Sequence, residues 1–312
     1  MRSEGELEVD GRQLRVSNLQ KVLYPATGFT KGAAIDYYAR IAEVLLPHLR
    51  NRPVTLKRYP DGVDGESFYE KQAPSHRPGW LKTAPVWSAT RAGNIDYCLF
   101  NDLPSLIWAA NLAALELHAF LHRAAHIERP RALVFDLDPG APATIVECCQ
   151  VGLVLRRLFV AVGLDSFAKT SGSKGLQIYV PLNMATTYDK TKPFASAVAD
   201  RLREAMPTRI VTRMQKSLRH GKIFIDWSQN DEHKTTVSVY SLRAKSRPTV
   251  STPVKWSEVQ RCARSAEPAN LAFDTEQVLQ RVKKFGDLFA PVLTLKQRLP
   301  ALTKLAAVKK FV

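Results

Sequence analysis

The chain has 312 residues, a length for one large domain or two ordinary ones, and its 45% apolar and 24% charged content is that of a globular protein with a sizeable core. No run of about 18 apolar residues occurs and the start, Met1-Arg2-Ser3-Glu4-Gly5-Glu6, has no apolar signal core, so no membrane span is expected and a cytoplasmic setting is the default. Lys and Arg number 45 against 29 Asp and Glu, a formal net charge of +16; the excess points to a polyanionic partner, because neutralised phosphates release counterions, with a generally basic solvated surface as the alternative.

In chain order, Ser17-Asn18-Leu19-Gln20 has capping-box spacing and predicts a short helix closed by Pro25. Ile35, Tyr38, Ile41, Ala42, Leu45 and Leu49 recur at helical spacing, with Asp36, Arg40 and Glu43 outward, and predict a helix from near Thr30. Arg52 to Tyr59 reads as a strand carrying Lys57 and Arg58, followed by the turn Pro60-Asp61-Gly62. Residues 61–100 are loop-rich, with Phe68, Tyr69, Trp80 and Trp87 interleaved with Lys71, Arg77 and Lys82. Such a mixture suits base stacking beside a basic groove, and equally a small satellite core.

Leu103 to His122 predicts a mostly apolar helix, Ala132 to Asp138 a strand, and Thr144 to Val162 another helix. Strands are expected near Ser166–Lys169, Leu176–Pro181, Lys222–Trp227 and Thr235–Tyr240, a helix over Phe194–Ala205, and basic helical structure in the last 40 residues. This mixed order predicts an α+β (mixed α/β) core, not a regular doubly wound sheet. A single domain over 1–312 is expected, with an N-terminal subdomain over about 1–100 and a core over about 101–312. Cys98, Cys148, Cys149 and Cys262 show no C-x-x-C spacing, so neither a disulfide scaffold nor a structural zinc is expected.

Ala132-Leu133-Val134-Phe135-Asp136-Leu137-Asp138-Pro139-Gly140 is the most informative segment. On a strand, alternation places Asp136 and Asp138 on one face and Phe135 and Leu137 on the other, and Pro139-Gly140 ends the strand beside both acids. Two adjacent anions on one face are costly unless a cation lies between them, and hard oxygen ligands suit Mg2+ or Mn2+. Lys222-Ile223-Phe224-Ile225-Asp226 is a second strand ending in an acid and offers a third ligand. Carboxylates of this kind can bridge two metals about 3.5–4 Å apart; a solvated strand end is the bland alternative.

Lys169-Thr170-Ser171-Gly172-Ser173-Lys174-Gly175 lies between two expected strands, where successive N–H groups can form an anion-binding nest and Lys174 adds a point charge. It is not a Walker loop, and an ordinary hairpin is the alternative. Arg213, Lys216, Arg219 and Lys222 precede Asp226, and Arg243, Lys245 and Arg247 follow it. His118, His122 and His126 are spaced for one helix face, but no H-E-x-x-H is present; His118 is expected to point into an active cleft and the other two to the surface.

Taken together, F-D-L-D-P-G (135–140), T-S-G-S-K-G (170–175) and D-W-S-Q-N (226–230) resemble the polymerase domain of bacterial ligase D, a branch of the archaeo-eukaryotic primase superfamily. The resemblance continues at K-V-L-Y-P-A-T-G (21–28), G-V-D…F-Y-E-K-Q (62–72), A-L-E-L-H (114–118), K-S-L-R (216–219) and Y-S-L-R (240–243), across nearly the whole chain in order. It implies a primase-polymerase core with a mixed or antiparallel sheet flanked by helices. It also implies gap-filling and end-extending synthesis in non-homologous end joining, manganese-stimulated and favouring ribonucleotides, with Ku and a DNA ligase as partners at the nucleoid.

By the same resemblance Asp136, Asp138 and Asp226 hold two Mn2+ or Mg2+ ions. Ser171 and Lys174 contact the incoming triphosphate with Arg243 in support, and His118 contacts the nucleotide sugar or phosphates. Asn18, Lys21 and Lys31 grip the 5′-phosphate of a gap, Phe68 and Tyr69 stack on template bases, and Arg219 orients DNA ends. Lys57 and Lys71 complete the expected DNA-binding set. One position departs from the pattern: Gln177 stands where the family's S-x-K-G-x-H carries His, and an amide can hydrogen-bond a nucleotide but carries no charge. The chain carries no ligase or nuclease region, leaving open a stand-alone enzyme or one domain of a larger protein. A two-metal phosphodiesterase and a non-catalytic DNA-end bridge are the competing functions.

Overall fold

A computed structural model describes residues 4–88 and 90–312; the charged Met1-Arg2-Ser3 start lies outside the described residues. The fold is α+β, in two compact units that are each discontinuous in sequence. The first takes the chain up to 127 with 235–251 and 273–287, and the second takes 128–234, 252–272 and 288–312. The boundary expected near residue 100 falls inside the first unit.

The first unit opens with the hairpin β1 (Glu4–Val9) and β2 (Arg12–Ser17), the short ladder β3 (Val22–Tyr24) and β4 (Phe29–Thr30), and helix α1 (Lys31–Leu49). Strands β5 (Pro53–Arg58), β6 (Phe68–Glu70), β7 (Thr83–Ser88) and β8 (Gly93–Leu99) follow, then α2 (Leu103–Asn111) and β9 (Ala114–Phe120). The second unit begins with β10 (Ala132–Pro139), α3 (Ile145–Ala161), β11 (Phe167–Thr170), β12 (Leu176–Pro181), α4 (Tyr188–Ala205), β13 (Ile210–Val211) and β14 (Ile223–Asp226). Strands β15 (Thr235–Val237), β16 (Leu242–Ala244) and β17 (Pro248–Val250) return to the first unit; β18 (Pro253–Val254) and α5 (Trp256–Ser265) belong to the second. Helix α6 (Thr275–Phe285) is in the first unit, and α7 (Pro291–Thr294) and α8 (Leu302–Ala307) are in the second.

In the first unit the main sheet runs β15-β9-β5-β8-β7, with β6 added to β5. Helix α1 begins where expected: the Thr30 hydroxyl accepts from Ala33 N, and Ile35, Tyr38, Ile41, Ala42, Leu45 and Leu49 are buried. Two expected helices are corrected. The segment at Ser17–Pro25 is a turn and a strand, because Asn18 adopts φ +53° and Lys21 N closes the turn on Asn18 O at 3.0 Å; a left-handed Asn starts turns, not helices.

The helix expected over Leu103–His122 stops at Asn111. Ala113 turns to φ +56°, and 114–120 become β9, paired with β5 on one side and β15 on the other. A continuous apolar run does not distinguish a buried central strand from a helix, and pairing on both edges decides it here. The last 40 residues form α6, α7 and α8 with irregular stretches between them, Gly286 at φ +66° ending α6.

In the second unit the sheet order is β13-β14-β10-β12-β11-β18, antiparallel throughout except β13 beside β14. Helix α3 is held by a capping box between Thr144 and Glu147 and covers one face, where Phe135 meets Phe159 at 5.3 Å between ring centroids. Gly152 permits that approach, since a Cβ there would lie 3.1 Å from Leu176 Cδ2. Where β14 bends away, the buried Asn230 side chain continues the ladder: its Oδ1 accepts from Val134 N at 2.9 Å and its Nδ2 donates to Val134 O at 2.7 Å. No helix among the described residues is long and apolar enough to cross a membrane.

Candidate active site

In the second unit, register places Asp136 opposite Asp226 on β14 and Gln177 on β12, and Gln177 opposite Lys169 on β11. Directly paired residues share a face, so Lys169, Gln177, Asp136 and Asp226 form one row across four strands, with Asp138 two residues along β10. Phe135 and Leu137 are fully buried on the other face, as the alternation requires.

Asp136 is the most perturbed acid of the row. Burial first, and then the charge of Asp138, push its carboxyl up to about 7; a hydrogen bond from Gln177 and the nearby Lys169 pull the other way. Its Oδ1 is buried and has no hydrogen-bond partner. Asp226 is engaged differently. Its Oδ1 accepts from Ser228 N (3.1 Å) and Ser228 Oγ (2.5 Å), and its Oδ2 accepts from Gln229 Nε2 (2.8 Å). These bonds cap the turn that follows β14, and among the described residues no three His, Cys, Asp or Glu side chains gather as a metal site.

The 171–175 loop lies directly against these acids. Ser171 Oγ accepts from Ser173 N (3.2 Å) and Gly175 N (3.1 Å), Gly172 sits at φ +68°, and Lys174 Nζ donates to Pro139 O at 3.1 Å. A Cβ on Gly175 would fall 2.4 Å from Leu137 O and 3.4 Å from Asp138 Oδ1, so only glycine permits the close pass. Gly140 is equally constrained, with a Cβ 1.8 Å from Arg219 O. Arg219 itself stacks over Phe224 at 3.7 Å and donates to Met214 O at 2.6 Å. Gln177, expected at the nucleotide, is buried and hydrogen-bonds Asp136.

In the first unit His118 lies on β9, so the three-histidine helix face does not exist. His122, expected at the surface, is fully buried with its ring 4.7 Å from Phe120; His126 is exposed. His118 is grouped instead with Glu116 and Arg243. Glu116 Oε2 is 3.0 Å from His118 Nε2, and Oε1 accepts from Ala244 N at 3.1 Å and ion-pairs Arg243 Nε at 3.2 Å. Burial pushes the Glu116 carboxyl up, but His118 and Arg243 outweigh it and hold the group near about 2. Burial, with Arg243 and Lys57 nearby, holds His118 below its ordinary value although Glu116 opposes this. Tyr69 meets the His118 ring edge-on at 5.7 Å.

The same unit gathers Asn18, Lys21 and Lys31, because Lys31 N bonds Lys21 O at 2.8 Å and Lys21 N bonds Asn18 O. Lys21 Nζ pairs with Asp61 at 2.7 Å, and the buried Lys31 ammonium is lowered to about 8 by burial and by Lys21 and Arg58. Phe68 and Tyr69 are 45% and 58% exposed on β6 and line an open groove of about 520 Å3 with Lys71. Lys57 Nζ lies 5.2 Å from the Tyr69 ring centroid. Lys169, Glu116 and Asn230 lie inside motifs quoted from the sequence, but the sequence assigns them no role. Glu116 lies in a segment that reads as helix from sequence.

Residues 30–289 match the family described as the LigD primase-polymerase domain. The chain is 42% identical over 282 residues to the multifunctional non-homologous end joining protein LigD of Mycolicibacterium smegmatis, covering 90% of this chain but 36% of that protein. It is 34% identical over 275 residues to the bifunctional non-homologous end joining protein LigD of Bacillus subtilis, covering 88% and 43%. The chain thus spans less than half the length of these relatives. Among solved structures, the polymerase domain of Mycobacterium tuberculosis ligase D in complex with DNA superposes with a TM-score of 0.83 at 39% identity, covering 91% of this chain and 99% of that one. With fold, motif order and identity in agreement, the chain belongs to the LigD primase-polymerase domain family, a family of nucleotidyltransferases.

Proposed function

We propose that this chain fills gaps and extends DNA ends in non-homologous end joining, adding ribonucleotides in preference to deoxyribonucleotides with two Mn2+ or Mg2+ ions. The observation that carries the proposal is the carboxylate row on β10 and β14 packed against the 171–175 loop. The relatives' names, and the DNA bound to the similar solved domain, support the setting.

Asp136 fits a hard cation. Its buried Oδ1 lacks a partner, and burial and the charge of Asp138 push its carboxyl up, penalties that a divalent ion relieves together. Asp138 shares the face, and Asp226, with three hydrogen bonds on about four acceptor positions, keeps capacity for a metal contact. When bound, such ions would activate a primer hydroxyl and neutralise the departing pyrophosphate.

The chain's own groups do the rest. Gln177 orients Asp136, while the Ser171 hydroxyl and the Lys174 ammonium hold the triphosphate. His118 and Arg243 contact the nucleotide. Asn18, Lys21 and Lys31 hold a gap's 5′-phosphate, Phe68 and Tyr69 stack on template bases beside Lys57 and Lys71, and Arg219 orients the ends. Ku and a DNA ligase would act with it on the nucleoid.

Primer extension on a short 5′-phosphorylated gap with Mn2+, comparing ribo- and deoxyribonucleotides, tests the proposal. Ribonucleotide addition at the higher kcat/KM is the expected result. Gap binding with no addition would replace it with an end-bridging role, and loss of primer nucleotides with a phosphodiesterase.

A further inference from the structure

We propose that Glu116 is a positioning residue that fixes the His118 ring so that Nδ1 meets the nucleotide as a hydrogen-bond acceptor, and that its partner is a ribose hydroxyl, not a phosphate oxygen. The proposal presupposes that His118 contacts the nucleotide.

A carboxylate only accepts, so the 3.0 Å contact between Glu116 Oε2 and His118 Nε2 places the ring hydrogen on Nε2. In a neutral imidazole the lone pair is then on Nδ1. Glu116 has little freedom to release the ring. It is 3% exposed on a central strand, and its other oxygen is committed to Ala244 N, with Arg243 Nε at 3.2 Å and Tyr59 Oη at 3.5 Å. A second ring proton is disfavoured by burial and by the two cations facing His118, Lys57 from β5 and Arg243 from β16, with Glu116 the acid that opposes them.

The consequence for recognition is one of sign. A phosphate oxygen offers lone pairs to the Nδ1 lone pair and is repelled. A sugar hydroxyl donates and is taken. Arg243, pinned by the same carboxylate, supplies the cation a phosphate needs. Glu116 thus divides labour between a neutral acceptor and a charged donor set by its two oxygens.

The tautomer is read directly from two-bond 1H–15N correlations on protein labelled at its 7 histidines, with His118→Ala assigning the signal. An Nε2–H ring at pH 7.5 is expected; an Nδ1–H or doubly protonated ring overturns the proposal and needs no variant of Glu116. In Glu116→Gln a single oxygen remains. Kept by Ala244 N, it leaves the NH2 facing Nε2 and drives the hydrogen to Nδ1. A hydroxyl can rotate to accept from Nδ1–H, so the contact itself is removed in His118→Ala, where KM for ATP should rise about 3- to 10-fold, the worth of one neutral hydrogen bond, with a smaller change in kcat. KM should be unchanged for whichever of 2′-deoxyATP and 3′-deoxyATP lacks the contacted hydroxyl, and inhibition by tripolyphosphate should not move. Equal increases for all three nucleotides with weakened tripolyphosphate inhibition would place His118 on the phosphates and overturn the proposal. If His118→Ala left every nucleotide's KM unchanged, the presupposed contact would fail as well; a sizeable His118→Ala effect with the wrong tautomer would sink only the Glu116 mechanism.

Discussion

At Asp136 a carboxyl is held at about 7 by burial and by Asp138, so below that pH a cation must displace a proton to bind. Mn2+ affinity should therefore fall with pH by up to about tenfold per unit below 7. Titration calorimetry in two buffers of different ionisation enthalpy should find close to one proton released per protein near pH 6. Proton-free binding of constant affinity from pH 6 to 8 would contradict the assignment. Glu116 behaves in the opposite sense. Its folded value near 2 lies below the ordinary 4.5, so its contribution to stability is full above about 4.5 and is lost as pH falls toward 2. Denaturant melts should show a loss on the order of 2–3 kcal/mol over that window that Glu116→Gln lacks; parallel pH curves for the two proteins would refute it. Asp136 and Asp138 were legible because D-x-D on an apolar strand fixes a shared face whatever surrounds it. Glu116 was not, since its importance lies in partners 2 and 127 residues away, His118 and Arg243.

The elements divide the same way. Strands β10 and β12 and helices α1 and α3 were legible, because each couples its pattern to a local stop or cap: Pro139-Gly140 at the end of β10, Pro181 at the end of β12, Thr30 before α1, the Thr144–Glu147 box before α3. Strand β9 was misread because pairing with β5 and β15, invisible in a window of sequence, overrode an apolar run that local preference left undecided. The Asn230 side chain is an element-level device of the same hidden kind, standing in for backbone where β14 bends off β10. Asn230→Ala would strand the buried N–H and C=O of Val134, and a loss of about 2–4 kcal/mol is expected from equilibrium unfolding. A change under about 0.5 kcal/mol would mean the ladder closes without it.

For the whole molecule, a net charge of +16 and the cations Lys21, Lys31 and Lys57 predict strongly salt-dependent DNA binding. Counted as one neutralising charge each, these three lysines give a slope of about −3 in log K against log salt, and Lys31→Ala should reduce it by about 1. A flat response would contradict the phosphate-gripping assignment. The central claim is that Asp136 belongs to a nucleotidyl-transfer centre and not to the DNA grip. The most direct test measures Mn2+-dependent primer extension on a 5′-phosphorylated gap, and affinity for that same gap, for the parent protein and Asp136→Ala. The account predicts addition by the parent, none by the variant, and DNA affinities within about threefold, the scatter of a surface-neutral change. Extension surviving in Asp136→Ala would contradict it.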